Sequence, residues 1–123
     1  MAAFSFVLLY VDKPETSAAF YAGLLGQPVL ESSATFAMLP LCNGVRLGLW
    51  SRHTVTPAAT AGGGGAEIAL TVADADVVKA MYADWRNRGV TIAQAPTALD
   101  FGFTFVALDP DAHRIRVFAP GAV

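Results

Sequence analysis

Apolar and polar positions follow one order twice along this chain of 123 residues. In the first half, residues 4–11 form a continuous apolar run, which is typical of a strand whose alternate side chains share a face. Asp12 is a suitable N-cap for a helix predicted over about residues 14–25, where apolar side chains recur at helical spacing. Three short strands are then predicted, over residues 28–32, 35–41 and 45–50. The dipeptide Asn43-Gly44 indicates a tight hairpin between the last two of them.

The second half repeats this order after a break rich in glycine and threonine. Residues 67–72 predict a strand, and Asp74 is a suitable N-cap for a helix that ends near Asn87. Three further strands are predicted, over residues 90–93, 101–108 and 114–119. Strand alternation would place three phenylalanines of the middle strand on one face, namely Phe101, Phe103 and Phe105.

The two halves also match position by position, as expected for an internal repeat. First-strand residues Val7, Leu9 and Val11 fall on Ile68, Leu70 and Val72 at a spacing of 61. Last-strand residues Leu47 and Leu49 fall on Ile115 and Val117 at a spacing of 68. We therefore predict an α+β fold of two tandem βαβββ modules, residues 1–50 and 66–123, within a single domain 1–123. Residues 51–65, which include four consecutive glycines, have the composition of a flexible linker.

The amino-acid composition excludes several classes of protein. Apolar residues make up 54% of the chain and charged residues only 15%, well below the roughly 25% of an average soluble domain. This balance excludes disorder, and eight basic against ten acidic residues leave no basic patch for nucleic acid. No apolar run approaches the ~20 residues that a membrane span requires, and no signal peptide is evident, so a cytoplasmic protein is expected. A single cysteine excludes an internal disulfide and a thiolate-cluster metal site. The apolar excess points to a second subunit, an apolar cavity, or both.

Three segments carry a resemblance to a known superfamily: FVLLYVD at residues 6–12, SAAFY with LLG at 17–26, and FVALDPD with HRIRV at 105–117. The chain resembles the vicinal oxygen chelate superfamily, which includes glyoxalase I, extradiol dioxygenases and the bleomycin- and phenazine-resistance proteins. The resemblance implies that the modules form a cup of curved mixed sheet, with helices outside and the ligand on the concave wall. Relatives pair as homodimers, so a homodimer is expected here.

The same resemblance locates the positions where metal-dependent relatives hold their ion. They lie on the first and last strands of each module and fall here on Phe6, Gly48, Glu67 and Arg116. A divalent cation needs several converging nitrogen or oxygen ligands, and only Glu67 offers one. We therefore expect no metal site, no cofactor and no catalytic residue. Glu67 and Arg116 are instead expected to pair across neighbouring strands, either as a structural salt bridge or to hold a polar group of a ligand.

Side chains on the predicted wall indicate what would fill the cup. Aromatic residues dominate it, and Trp50 ends its strand beside a polar segment, as a ligand platform often does. The candidate ligand-binding residues are Phe6, Tyr10, Phe36, Arg46, Trp50, Glu67, Phe103 and Arg116. Core packing is the ordinary role of such phenylalanines, and the sequence does not decide which face of the strand at 101–108 lines the cup.

Two functions follow from these observations. The first is a metal-free protein that sequesters a small planar aromatic compound, an antibiotic being the expected class, since segments such as GLWS at residues 48–51 are similar to the phenazine-resistance subgroup. The alternative is a glyoxalase-like or dioxygenase-like enzyme with a non-standard metal site. Metal content separates the two.

Overall fold

The computed structural model describes residues 2–121 and contains two βαβββ modules, which confirms the predicted α+β class. The strands and helices of the first are β1 (Phe6–Val11), α1 (Pro14–Leu25), β2 (Glu31–Ser32), β3 (Phe36–Pro40) and β4 (Arg46–Ser51). Those of the second are β5 (Glu67–Thr71), α2 (Ala75–Asn87), β6 (Thr91–Leu99), β7 (Gly102–Leu108) and β8 (Arg114–Pro120). The chain divides into two compact units, the first ending at Gly62 and the second beginning at Gly63.

The first unit is a four-stranded mixed sheet with α1 on one face. The strand order is β1-β4-β3-β2, with β1 parallel to β4 and the other pairs antiparallel. Helix α1 contacts β3 and β4, where Leu39, Leu47 and Leu49 are fully buried. Because side chains alternate across a strand, the neighbours of these leucines point to the face that α1 does not occupy.

The second unit has the same topology, with strand order β5-β8-β7-β6 and β5 parallel to β8. Helix α2 contacts β6, β7 and β8. Phe105 is fully buried between the sheet and this helix, with ring contacts to Tyr82 and Trp85 at 5.7 and 5.3 Å.

Strand pairing confirms the internal repeat down to its register. Phe6 lies opposite Arg46 in the first unit, and Glu67 lies opposite Arg114 in the second. These pairs are separated along the chain by the two spacings found in the sequence, 61 for the first strands and 68 for the last. Residues 6–10 of β1 and residues 46–51 of β4 therefore have structural counterparts on β5 and β8.

The helix ends are largely as predicted. Helix α1 begins at Pro14 and ends at Leu25, and Gly26 is its C-cap, with φ 64°. The Asp74 carboxylate caps α2 by accepting a hydrogen bond from the Val77 amide at 3.0 Å. The prediction of Asp12 as the N-cap is wrong: Lys13 occupies the cap position of α1 and makes no side-chain cap bond, and the Asp12 carboxylate lies 2.7 Å from His53 Nε2.

Two connecting segments differ from simple loops. The β3–β4 hairpin turns at Asn43 and Gly44, both at positive φ, as predicted. The predicted linker, residues 51–65, is not wholly a loop, because Ser51 belongs to β4. Gly63 lies so close to the turn at residues 109–113 that a Cβ on it would be 2.5 Å from the Ala112 carbonyl group. At least one of the four glycines is therefore needed for close backbone contact.

Strand β6 is longer than predicted and runs through Pro96 to Leu99. It is an edge strand, where a proline removes no essential ladder bond. Two register shifts, between Ile92 and Gln94 and between Gln94 and Thr97, accommodate it. Across residues 2–121, no helix is both long enough and apolar enough to cross a membrane.

Candidate functional site

Each sheet has one face covered by its own helix and one face that this helix leaves free. On the first unit the free face carries mainly aromatic and aliphatic side chains, and we call it the aromatic face; its members are Phe6, Leu8, Tyr10, Phe36, Met38, Pro40, Arg46, Gly48 and Trp50. On the second unit the free face carries charged and hydroxyl groups, and we call it the polar face; its members are Glu67, Thr104, Val106, Arg114, Arg116 and Phe118.

Three rings form a continuous row on the aromatic face. Phe36 lies opposite Trp50 in the strand register, and their ring centroids are 6.3 Å apart at an interplanar angle of 85°. Phe6 also contacts Phe36, with ring centroids 6.4 Å apart at an interplanar angle of 68°. Edge-to-face contacts at these distances are favourable, so the row is a fixed surface rather than a set of independent side chains.

Exposed apolar groups extend this row. Leu8 and Tyr10 are 43% and 40% exposed, which is high for large apolar side chains. Gly48 provides room for Leu8 and Phe36, since a Cβ there would lie 2.5 Å from Leu8 Cδ2 and 3.2 Å from the Phe36 ring. Gly48, which offers no metal ligand, therefore leaves space for the side chains of its neighbours to lie over it.

The polar face is organised by an ion pair between β5 and β8, as the sequence predicted. The Arg116 guanidinium donates from Nε to Glu67 Oε1 and from a terminal nitrogen to Glu67 Oε2, both at 2.9 Å. Its other terminal nitrogen donates to Thr104 Oγ1 at 3.2 Å and to Gln94 Oε1 at 3.5 Å. The Thr104 hydroxyl in turn donates to the Val117 carbonyl at 2.9 Å.

This ion pair is partly shielded from solvent, and two positive charges lie near its one carboxylate. The Arg116 side chain is 16% exposed and the Glu67 side chain 29%. A second guanidinium, that of Arg114, lies 3.6 Å from Glu67 Oε2. The hydrogen bonds from Arg116, together with the charges of both arginines, hold the pKa of the Glu67 carboxyl below its usual value. The carboxylate is therefore ionised and its two oxygens are engaged.

A pocket of about 250 Å³ opens beside the ion pair. Its walls combine apolar groups with amide and guanidinium groups, from Ala93, Gln94, Leu99, Val106, Arg114 and Arg116. The Phe101 ring lies nearby, 5.6 Å from Arg116 Cζ and 5.7 Å from the Phe118 ring. This combination of apolar walls and a few directed polar groups is common in small-molecule sites.

Not every predicted site residue joins these surfaces. The expectation that Phe101, Phe103 and Phe105 share a face is wrong, because Phe101 precedes β7 and packs against Phe118 on the polar face. Phe103 lies on the helix side of the sheet, with Lys79 Nζ of α2 at 5.5 Å from its ring centroid. Phe103 is thus separated by the sheet from Arg116.

The remaining candidate, Arg46, lies at the start of β4 opposite Phe6 and Pro40. Its side chain is exposed, and its amide donates to the Ser5 carbonyl at 2.9 Å. Arg46 borders a shallow hollow at the β3–β4 hairpin that includes Cys42. It is the charged end of the aromatic face.

Residues at the four positions implied by the resemblance do not fit a divalent cation. Phe6 and Gly48 carry no donor atom. In the second unit, both oxygens of Glu67 accept hydrogen bonds from Arg116, whose positive charge opposes a cation at that point. Within residues 2–121, no cluster of three or more His, Cys, Asp or Glu side chains could hold a metal ion.

The sequence analysis assigned no role to several residues around the Glu67–Arg116 ion pair. Gln94 and Thr104 complete the coordination of the Arg116 guanidinium, and Arg114 borders the pocket. The alternation of Arg114 with Arg116 was the available signal, since residues two apart on a strand share a face. Gln94 gave no signal, because its position depends on the register shifts of β6.

Comparison with known proteins agrees with this fold. A family model described as the glyoxalase/bleomycin resistance protein/dioxygenase superfamily matches residues 3–117. The solution structure of protein ATC0852 from Agrobacterium tumefaciens is 48% identical, covers 99% of this chain and 100% of its own, and superposes with a TM-score of 0.88. A search of the curated proteins finds no match.

More distant structures share the fold alone. A glyoxalase/bleomycin resistance protein/dioxygenase family enzyme from Burkholderia phytofirmans is 19% identical over 98% of this chain and 100% of its own, with a TM-score of 0.81. A glyoxalase-related enzyme from Fulvimarina pelagi is 20% identical over 97% of this chain and 88% of its own, with a TM-score of 0.80. Because the family model spans nearly the whole sequence, this chain belongs to the glyoxalase/bleomycin resistance protein/dioxygenase superfamily.

Proposed function

We propose that this chain is a small-molecule binding protein that sequesters a planar aromatic compound without a metal ion, as the resemblance to the phenazine-resistance subgroup implies. The observation that carries the proposal is the aromatic row of Phe6, Phe36 and Trp50, on the sheet face that α1 leaves free. A flat aromatic ligand gains about 0.5–1.5 kcal/mol per ring contact beyond the burial of its area. Antibiotics built on fused rings are the class of compound that such a surface suits.

The residues at the metal positions support a binding role over Lewis-acid catalysis. Phe6 and Gly48 contribute apolar surface and space, while Glu67 and Arg116 satisfy each other with two hydrogen bonds of 2.9 Å. A glyoxalase-type or dioxygenase-type reaction needs an ion to polarise a substrate oxygen. The donor set here is unsuited to hold one.

Tryptophan fluorescence tests the proposal, because the two tryptophans lie in different environments. Trp50 is half-buried in the aromatic row, whereas Trp85 is 2% exposed and packed on Phe105. We expect phenazine or naphthalene derivatives to quench the emission of a Trp85→Phe variant, which retains only Trp50. A Trp50→Phe variant should be insensitive to the same compounds. Unchanged Trp50 emission across the panel, well above micromolar concentration, would refute the proposal.

A matched pair of phenylalanine variants locates the binding surface. Phe36→Leu should weaken binding about two- to tenfold, because it removes the central ring of the row. Phe103→Leu is the same substitution on the helix side of a sheet, beneath Lys79, and should leave affinity unchanged. Equal losses in both variants would show that the effect comes from stability and not from contact.

The proposal includes a homodimer, since the resemblance implies pairing and apolar side chains remain exposed. Phe4 is 73% exposed, and Leu8 and Leu30 are 43% and 49% exposed. Light scattering should give twice the chain mass of 12.9 kDa. A mass of one chain at micromolar concentration would remove the dimer from the proposal and leave ligand binding to be tested separately.

A further inference from the structure

The pocket on the polar face carries an unbalanced positive charge. Two guanidinium groups, of Arg114 and Arg116, lie around the single carboxylate of Glu67. None of the six residues that line the pocket is acidic. The chain as a whole has a formal charge of −2, so this local excess of cation is not a general property of its surface.

The two arginines differ in how many of their N–H donors form hydrogen bonds within the protein. Arg116 is 16% exposed and donates to Glu67, Thr104 and Gln94, so its plane is held by the protein. The Arg114 side chain is 47% exposed, and its nearest terminal nitrogen is 3.6 Å from Glu67 Oε2, beyond hydrogen-bond distance. Arg116 is therefore the structural partner of the carboxylate, and Arg114 has donors available to a bound group.

The rest of the pocket favours a small ring system. Ala93, Leu99 and Val106 supply apolar walls, and Leu99 is 39% exposed. The volume of about 250 Å³ is below the roughly 300–1,000 Å³ of sites for drug-sized ligands. A ligand of one or two rings that bears an anionic group would satisfy both the walls and the charge.

We infer that this pocket binds a small aromatic carboxylate and that Arg114 recognises its carboxylate group; the pocket belongs to the second unit, so the inference does not depend on the aromatic face of the first. The planar guanidinium fork matches a carboxylate with two parallel hydrogen bonds. Arg116 occupies both Glu67 oxygens with hydrogen bonds of 2.9 Å, whereas Arg114 approaches that carboxylate only to 3.6 Å and keeps donors for a bound group. The nearby Phe101 ring, stacked at 5.6 Å from Arg116 Cζ, limits the movement of the Arg116 guanidinium.

Calorimetric titration with 1-naphthoate and 1-naphthamide tests the inference, since the two probes share a ring system and differ in charge. Wild-type protein should bind the carboxylate about tenfold or more tightly than the amide, as expected for a hydrogen-bonded charge pair. That preference should weaken as salt is raised. Arg114→Gln should abolish the preference, and Arg114→Lys should restore part of it. Arg86→Gln, which removes the same charge from the exposed end of α2, is the matched control and should preserve it.

The outcomes separate the inference from the proposed function. Equal affinity for the two probes, or a preference retained in Arg114→Gln, would overturn the role of Arg114 while aromatic binding stands. An absence of heat with both probes would overturn the pocket as a binding site, whereas the proposed function is refuted separately, by unchanged Trp50 emission. Circular dichroism of each variant establishes that a lost preference does not reflect unfolding.

Discussion

The Glu67–Arg116 ion pair should contribute measurably to stability because of where it lies. Exposed ion pairs are worth about 0.2–1 kcal/mol, whereas breaking a fully buried pair costs about 3–5 kcal/mol. With side chains 29% and 16% exposed and two hydrogen bonds of 2.9 Å, this pair is intermediate. We expect a coupling free energy of about 1–2 kcal/mol between its two members.

A double-mutant cycle measures this coupling. Glu67→Gln, Arg116→Met and the double variant would be compared with wild type by urea denaturation, which gives the free energy of unfolding from the midpoint and slope. The expected coupling corresponds to a shift in melting temperature of about 3–8 °C for a chain of this size. Loss of Arg116 is partly compensated, because Arg114 remains 3.6 Å from the carboxylate.

A second cycle on Asp84 and Arg88 provides the control. This pair spans one turn of α2 at 3.0 Å, similar to the first pair in distance, but its side chains are 52% and 51% exposed. Its coupling should be about 0.3–0.5 kcal/mol, the value typical of helix-surface pairs. Equal couplings in the two cycles would refute the argument that burial strengthens the Glu67–Arg116 pair.

Two further predictions concern stability. The hydrogen bond from His53 holds the pKa of Asp12 below its ordinary value, so its stabilisation is present above about pH 4 and lost as pH falls through the lowered pKa. The urea midpoint of Asp12→Asn should therefore fall less than that of wild type between pH 6 and pH 3, and an equal fall would contradict this role. Gly102→Ala should destabilise by more than about 2 kcal/mol, because its Cβ would collide with the Ala119 carbonyl oxygen at φ 149°. Gly23→Ala, in open space within α1, should instead stabilise by about 0.5–1 kcal/mol, and thermal unfolding that gave the opposite order would contradict the backbone path of β7.

Local sequence signals predicted the elements and their repeat well. Helix α1 has its expected bounds because Pro14 and Gly26 act through their own backbone preferences. Contacts between residues far apart along the chain could not be predicted from these local signals. The cap of α1 falls at Lys13, one residue after the predicted position, and the Asp12 carboxylate contacts His53, which lies 41 residues away along the chain.

The same limit applies to the candidate site. Pairing of Glu67 with Arg116 was predictable through the resemblance, which implies that the first and last strands of a module are neighbours; in the observed register Glu67 lies opposite Arg114 and Arg116 lies opposite Ala69. The face to which Phe103 points was not, since alternation fixes which residues share a face but not which face the helix covers. Phe101 does not follow the strand alternation, because β7 begins one residue after it, at Gly102.

Titration of a flat aromatic compound in the presence and absence of a metal chelator tests the central claim most directly, with metal content measured on the same protein. The account predicts binding of equal affinity under both conditions and no stoichiometric metal, because the Glu67 carboxylate is engaged by Arg116 and no donor is present at Phe6 or Gly48. Binding that is lost with the chelator and restored by zinc, nickel, manganese or iron would contradict it.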